Sequence, residues 1–184
     1  MARELLGKKL VRLVDGQRLA GWIIEAEAYD GELDLACHAK AGKTPRTAVM
    51  YGPAGRAYVY FTYGMHWMLN CVCEAEGYPA AVLIRGIFPV EGLALIAQKR
   101  QGVKREDWVN GPAKICAALS ITGKLNGLSL CNQTSGLWVE DGEHVSTRDF
   151  ITTPRIGIDR VPEPWLSHPW RFFMQTPEKF FAKD

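Results

Sequence analysis

Apolar and polar positions alternate with period two from Trp22 to Tyr29. Trp22, Ile24, Ala26 and Ala28 fall on one side, and Ile23, Glu25, Glu27 and Tyr29 on the other. The stretch reads as a strand whose first face is wholly apolar. Its second face carries a tyrosine and two carboxylates roughly 7 Å apart. Neighbouring like charges tend to raise one pKa, which suits acid or base work if the strand lines a pocket. On this segment alone, a half-exposed strand with a polar outer face is the simpler reading. Leu10 to Val14 reads as the strand before it, with Asp15-Gly16 as the hairpin turn, so Glu27 sits on a paired and rigid element.

The same alternation returns from Ala57 to Tyr63, placing Tyr58 and Tyr60 on one face, and continues in a strand from His66 to Cys73. Gly64-Met65 between them fits a type II′ turn with glycine first. Ala80 to Phe88, AAVLIRGIF, reads as a buried strand interrupted by Arg85. An unpaired buried guanidinium is very costly, so Glu27 or Glu25 is its expected partner. Helical patterns cover Ala2 to Lys8, the run VEGLALIAQKRQG after Pro89, and AKICAALSI behind Asn110-Gly111-Pro112. Asp30 to Gly55 is a long polar connection, of a length that is usually functional or disordered. The remainder offers an Asn126-Gly127 turn, a short strand from Leu137 to Glu140, a strand-like RIGID after Pro154 and an aromatic, proline-rich tail. The expected fold is α+β: a curved, mainly antiparallel sheet flanked by helices, with a protruding β-hairpin.

Composition narrows this picture. A chain of 184 residues with 47% hydrophobic content can bury one good core, which predicts a single domain over residues 1–184. A formal charge of +2 is too weak to announce nucleic acid, but its distribution is uneven. Lys40, Lys43, Arg46 and Arg56 share one polar connection, which favours a loop that grips an anion. Lys99, Arg100, Lys104 and Arg105 share another. Five cysteines make an odd count, no leader precedes Arg3, and no apolar run is long enough for a bilayer. A monomer of a reducing cytoplasm, with no membrane association, is the expectation. Cys37, His38, His66, Cys71 and Cys73 lack the spacing of a zinc finger or ribbon, and phosphate-loop, dinucleotide and nucleophile-elbow motifs are absent. Neither a metal nor an organic cofactor is expected. The hairpin tip, Tyr63, Gly64, Met65 and His66, is unusual, since water-facing turns are normally small and polar. It is either a packed corner or a wedge that enters something.

IIEAEAY, the following Cys37-His38 pair, TPR, YVYFTYGM, the Asn of MLN, LIRG and GPAKIC resemble successive blocks of the alkyladenine (3-methyladenine) DNA glycosylase family, in the family's order and over about residues 4 to 175. The resemblance implies a base-excision enzyme. Such an enzyme binds double-stranded DNA in the minor groove, flips an alkylated or deaminated purine (3-methyladenine, hypoxanthine, ethenoadenine) and hydrolyses its N-glycosidic bond. By the same resemblance, Glu27 matches the general base that activates water, and Arg85 the arginine that holds it. Tyr29, His38 and Tyr60 match the groups that sandwich and hydrogen-bond the flipped base. Asn70 matches the residue that crowds the guanine amine, and Tyr63 the side chain that fills the vacated space. Met65 and His66 flank that wedge, and Lys40, Lys43 and Arg46 are the expected phosphate contacts. His66 stands where vertebrate relatives carry tyrosine, and the loop between His38 and Thr44 is shorter than theirs. No lysine is placed as a Schiff-base nucleophile, so the enzyme is expected to be monofunctional. Two rivals belong to other classes: a non-catalytic binder of damaged nucleic acid, which has no use for Glu27, and a metal-dependent hydrolase built on the cysteines and histidines.

Overall fold

A computed structural model describes residues 1–181. Its strands are β1 (Lys9–Val14), β2 (Gln17–Asp30), β3 (Ala57–Thr62), β4 (His66–Cys73), β5 (Ala80–Glu91), β6 (Leu137–Glu140), β7 (Ile151–Thr153) and β8 (Arg171–Phe173). Its α-helices are α1 (Ala2–Leu5), α2 (Leu93–Lys99), α3 (Pro112–Ala118) and α4 (Pro177–Phe181). The expected α+β fold is observed, as one curled antiparallel sheet in the order β3-β4-β5-β2-β1-β6, with β7 and β8 joined through β2.

The long strand β2 organises the sheet because three strands pair with it. β5 runs along one edge from Ala20 to Asp30. The other edge is shared, with β1 over Gln17 to Trp22 and β8 over Glu25 to Glu27. Asp15 and Gly16 both take positive φ, 48° and 77°, the primed turn geometry that matches strand twist. The main core lies on one face of the sheet, where Leu10, Leu19, Ile23, Ala26, Leu69, Val82 and Ile84 pack with Ile115 and Leu119 from and just after α3. On the opposite face, Tyr58, Val72 and Ala81 pack with Cys37, Ala39 and Met50. The connection from Asp30 to Gly55 is therefore folded against the sheet. It contributes two short 3-10 turns, His38–Ala41 and Ala48–Tyr51.

Four expectations need correction. The even alternation along β2 is broken by irregular register around Glu25: Ile23 pairs with Ile87, Glu25 with Gly86 and Ala26 with Ile84. Ile24 and Arg85 are left without a partner, and the parity flips. Ile23 consequently joins Ala26 in the core, while Glu25 and Glu27, far from forming an outer face, are 8% and 0% exposed. Secondly, β5 continues through Pro89 to Glu91, so the next helix begins only at Leu93. The first helix likewise stops at Leu5, short of Lys8. Thirdly, RIGID is not a strand. The strand precedes it at Ile151–Thr153, and Gly157 turns the chain at φ 79°. Fourthly, the β3–β4 turn has positive φ at Tyr63 (52°) and Gly64 (69°), with Met65 N–H donating to Thr62 O (3.2 Å). That is a primed turn with tyrosine at its first central position.

Candidate active site

Segments far apart in sequence converge on Glu27. Its Oε2 accepts hydrogen bonds from the Tyr29 hydroxyl (2.9 Å) and Arg85 Nη1 (3.3 Å), and its Oε1 accepts from the Ile156 backbone N–H (2.7 Å). A carboxylate offers about four lone-pair directions, so little more than one remains for a further donor such as water. Burial dominates the titration of Glu27 and pushes it above the ordinary 4.5. Arg85, the Ile156 N–H and the Tyr29 hydroxyl, in that order, pull it back, and Glu25 adds a smaller upward push. Arg85 answers the demand that its place in an apolar strand created, and does so twice, because its Nε donates to Glu25 Oε1 (3.2 Å). Glu25 Oε1 also accepts from Arg171 Nε (2.5 Å).

A cavity of about 300 Å³ opens in front of this cluster, at the small end of the range for small-molecule sites. Tyr29, His38, Tyr60, Asn70 and Arg85 line it, together with Tyr58, Met50, Leu83 and residues Ile156 to Ile158. Glu27 does not line it. It lies behind Tyr29, Arg85 and Ile156, which do. The His38 ring stands edge-on to Tyr60 (centroids 4.5 Å), and Tyr60 tilts against Tyr58 (5.3 Å). His38 Nδ1 is 3.0 Å from the Tyr58 hydroxyl. Desolvation, then the nearby Arg46 and Lys40, push His38 down to about 4, so its imidazole is neutral at pH 7. Burial raises Tyr29 and Tyr60 above the ordinary tyrosine value, which keeps both walls uncharged. Asn70 is buried, and its Nδ2 donates to Tyr58 O (3.2 Å), which fixes the amide at the cavity wall.

A family model described as Methylpurine-DNA glycosylase (MPG) matches residues 1–178. The chain belongs to that family. Among similar proteins, one of Methanocella arvoryzae is 48% identical over 94% of this chain and 85% of its own length. One of Desulfitobacterium hafniense is 45% identical over 100% and 93%, and one of Myxococcus xanthus 46% over 97% and 85%. All three carry the name "Putative 3-methyladenine DNA glycosylase". A methylpurine-DNA glycosylase is a hydrolase whose substrate is DNA, which sets aside the expectation of a non-catalytic binder. No helix among the described residues is long and apolar enough to cross a membrane.

In this family member, the sequence-predicted residues fall into two groups. Glu27, Arg85, Tyr29, His38, Tyr60 and Asn70 are gathered at or directly behind one cavity. Tyr63 reaches its rim while remaining 79% exposed, whereas Met65, His66, Lys40, Lys43 and Arg46 are exposed and do not line it. Lys40 Nζ is tied to Leu35 O (2.7 Å), and the Arg46 guanidinium sits 5.1 Å from the Tyr60 ring centre.

Sequence reasoning missed the groups that hold the cluster from outside β2 and β5. Arg155 forms a fork-to-fork pair with Asp34 (2.5 and 2.9 Å), both side chains fully buried. Its guanidinium lies 4.7 Å from the Tyr29 ring centre and 5.0 Å from that of Trp170. Arg155 thereby pins the segment whose next residue supplies the Ile156 N–H. Arg171 was missed too, being carried on a strand of three residues, too short for periodicity to register. The available signals were Arg155 beside a proline and Asp34 among apolar neighbours, since charges at such positions need partners.

Proposed function

We propose that the protein excises damaged purines from duplex DNA after flipping them into the cavity, with Glu27 as general base. The observation that carries this reading is Glu27 itself: a buried carboxylate, held by Arg85 and poised behind a small cavity walled by neutral aromatic rings. Aromatic faces stack on any purine, so selection falls to the polar groups among them, Asn70 and His38. Asn70, anchored on Tyr58 O, crowds the position of a guanine amine.

Hydrolysis breaks the bond between the base nitrogen and C1′, whose electron pair leaves with the base, and leaves an oxocarbenium-like sugar. Water adds its oxygen to C1′ and gives a proton to Glu27. The fully occupied Oε2 and the single partner on Oε1 make Oε1 the atom with room for that water. A cationic lesion such as 3-methyladenine departs as a neutral base. Hypoxanthine and ethenoadenine need a proton from elsewhere.

Single-turnover excision from duplexes carrying one lesion each, followed by alkali cleavage at the abasic product, tests this reading. Glu27→Gln should fold and bind lesion duplex while losing about 10²–10⁴-fold in rate, the usual weight of general base catalysis. Near-normal excision by the folded variant rejects Glu27 as the base.

A further inference from the structure

Glu25 has no role in the reading above, yet it is as carefully housed as Glu27. It is 8% exposed, and it accepts from two guanidinium groups on one oxygen, Arg85 Nε (3.2 Å) and Arg171 Nε (2.5 Å). Room for it is built into β5: a Cβ at Gly86 would lie 3.1 Å from Glu25 Cβ and 3.2 Å from Glu25 Oε2. Arg171 is fixed in turn by Thr153, to whose Oγ1 its Nη1 donates (3.1 Å), and its Cα sits opposite Glu27 in the β2–β8 register. Two carboxylates and two guanidiniums thus form a charge-balanced chain, Glu27–Arg85–Glu25–Arg171, in which Arg85, among the described residues, is the group that bonds both acids.

We propose that Glu25 and Arg171 form a positioning pair that sets how much of the Arg85 charge reaches Glu27. Arg85 is shared, and the sharing is adjustable. When Arg171 neutralises Glu25, Arg85 is left available to Glu27. When Arg171 is absent, Glu25 competes for Arg85 and adds an unbalanced negative charge beside the base. When Glu25 is absent, Arg85 and Arg171 both act on Glu27. Among the described residues, the charged and titratable groups around Glu27 that enter this balance are Glu25 and Tyr29 on β2, Arg85 on β5, Arg171 on β8, Tyr60 on β3, and Arg155 over the Tyr29 ring. Among the described residues, Glu25 and Arg171 are the ones that reach Glu27 through Arg85, Glu25 adding its own direct upward push.

The inference rests on Glu27 being the base, and its test separates the two. The acid limb of the excision rate is measured in wild type, Glu25→Gln, Arg171→Gln and Arg171→Lys, on a duplex with a cationic lesion that needs no acid. The Glu27 side-chain carboxyl is followed in parallel by carbon NMR. Glu25→Gln should move both titrations to lower pH, and Arg171→Gln should move both to higher pH, each by roughly one pH unit, the scale of a unit charge at this separation. Arg171→Lys, which keeps the charge, should stay close to wild type. A pair that merely props up the fold lowers the plateau and leaves the limbs in place, and that result overturns the proposal. Arg171→Gln decides, because Glu25 also pushes on Glu27 directly; if it fails to fold, Arg171→Met, which likewise removes the charge, takes its place. If Glu27→Gln remains active, the base assignment falls, while the NMR titration of Glu27 still tests the pair.

Discussion

Glu27 must carry a negative charge to accept a proton, and its surroundings oppose that charge. Burial raises its pKa, and the three donors around it only partly compensate. Protonated Glu27 therefore persists to higher pH than an ordinary glutamate, and excision should fall on acidification at a pH above 4.5. Tyr29 sharpens the expectation, because its hydroxyl favours the charged form through a 2.9 Å hydrogen bond. In Tyr29→Phe the aromatic wall remains and that bond is gone. The acid limb should then move to still higher pH, while the rate at alkaline pH changes far less. A pH series of single-turnover rates on a cationic lesion checks this, since no general acid is then needed to confuse the limb. A limb that moves to lower pH would mean that Tyr29 OH does not serve the ionised carboxylate.

Among the elements, the β3–β4 hairpin carries the clearest conflict between stability and use. Tyr63 occupies the left-handed region at φ 52° and remains 79% exposed, so it gains little from packing. For a residue with a side chain that conformation costs roughly 1–2 kcal/mol, which glycine avoids. Such strain tends to persist where a side chain is needed for something else. Tyr63→Gly should raise stability by about 1 kcal/mol in urea unfolding. It should also weaken the flipped complex with lesion duplex by roughly 1–3 kcal/mol, the scale of base–aromatic stacking. Ethenoadenine fluorescence reports the flipping, and an unchanged equilibrium makes Tyr63 a corner residue only. This hairpin also marks where the sequence is legible. Strands β1 to β4 follow from alternation and from the turns between them, β5 from its apolar run, and Arg85 is readable as a charge that needs an acid. The irregular register at Glu25 is not, because it depends on Gly86 making room across the strand pair. RIGID departs from its strand-like pattern for a similar reason. Its isoleucines look strand-like, but Arg155 is drawn down to Asp34 and Ile156 is drawn to Glu27, both by partners more than a hundred residues away. The resemblance carried the site residues on and beside the hairpins. For Asp34 and Arg155 the local sequence shows that a partner is needed but not which one, and for Arg171 it shows neither; the pairing itself is tertiary.

At the scale of the whole molecule, a net charge of +2 conceals an arrangement suited to a polyanion. The buried charges cancel locally, Arg155 with Asp34, and Arg85 and Arg171 with Glu25 and Glu27. Lys40, Lys43 and Arg46 instead stay exposed on the connection that walls the cavity, and none of the three makes an ion pair among the described residues. They differ in how free they are. Lys40 is tethered to Leu35 O and Arg46 is engaged with Tyr60, whereas Lys43 has only the distant face of Tyr51, 5.7 Å from its ring centre. Lys43 is thus the cation best able to release a counterion from a phosphate without disturbing the cavity. Lys43→Ala should weaken binding to undamaged and lesion duplex alike and reduce the slope of log K against log salt by about 0.9, the value for one phosphate contact. The single-turnover rate at saturating protein should remain that of wild type, because no group around Glu27 has moved. Binding titrations at several salt concentrations, run beside excision assays, decide the matter. An unchanged slope removes Lys43 from the DNA interface, and a fall in the saturated rate places it in the chemistry instead.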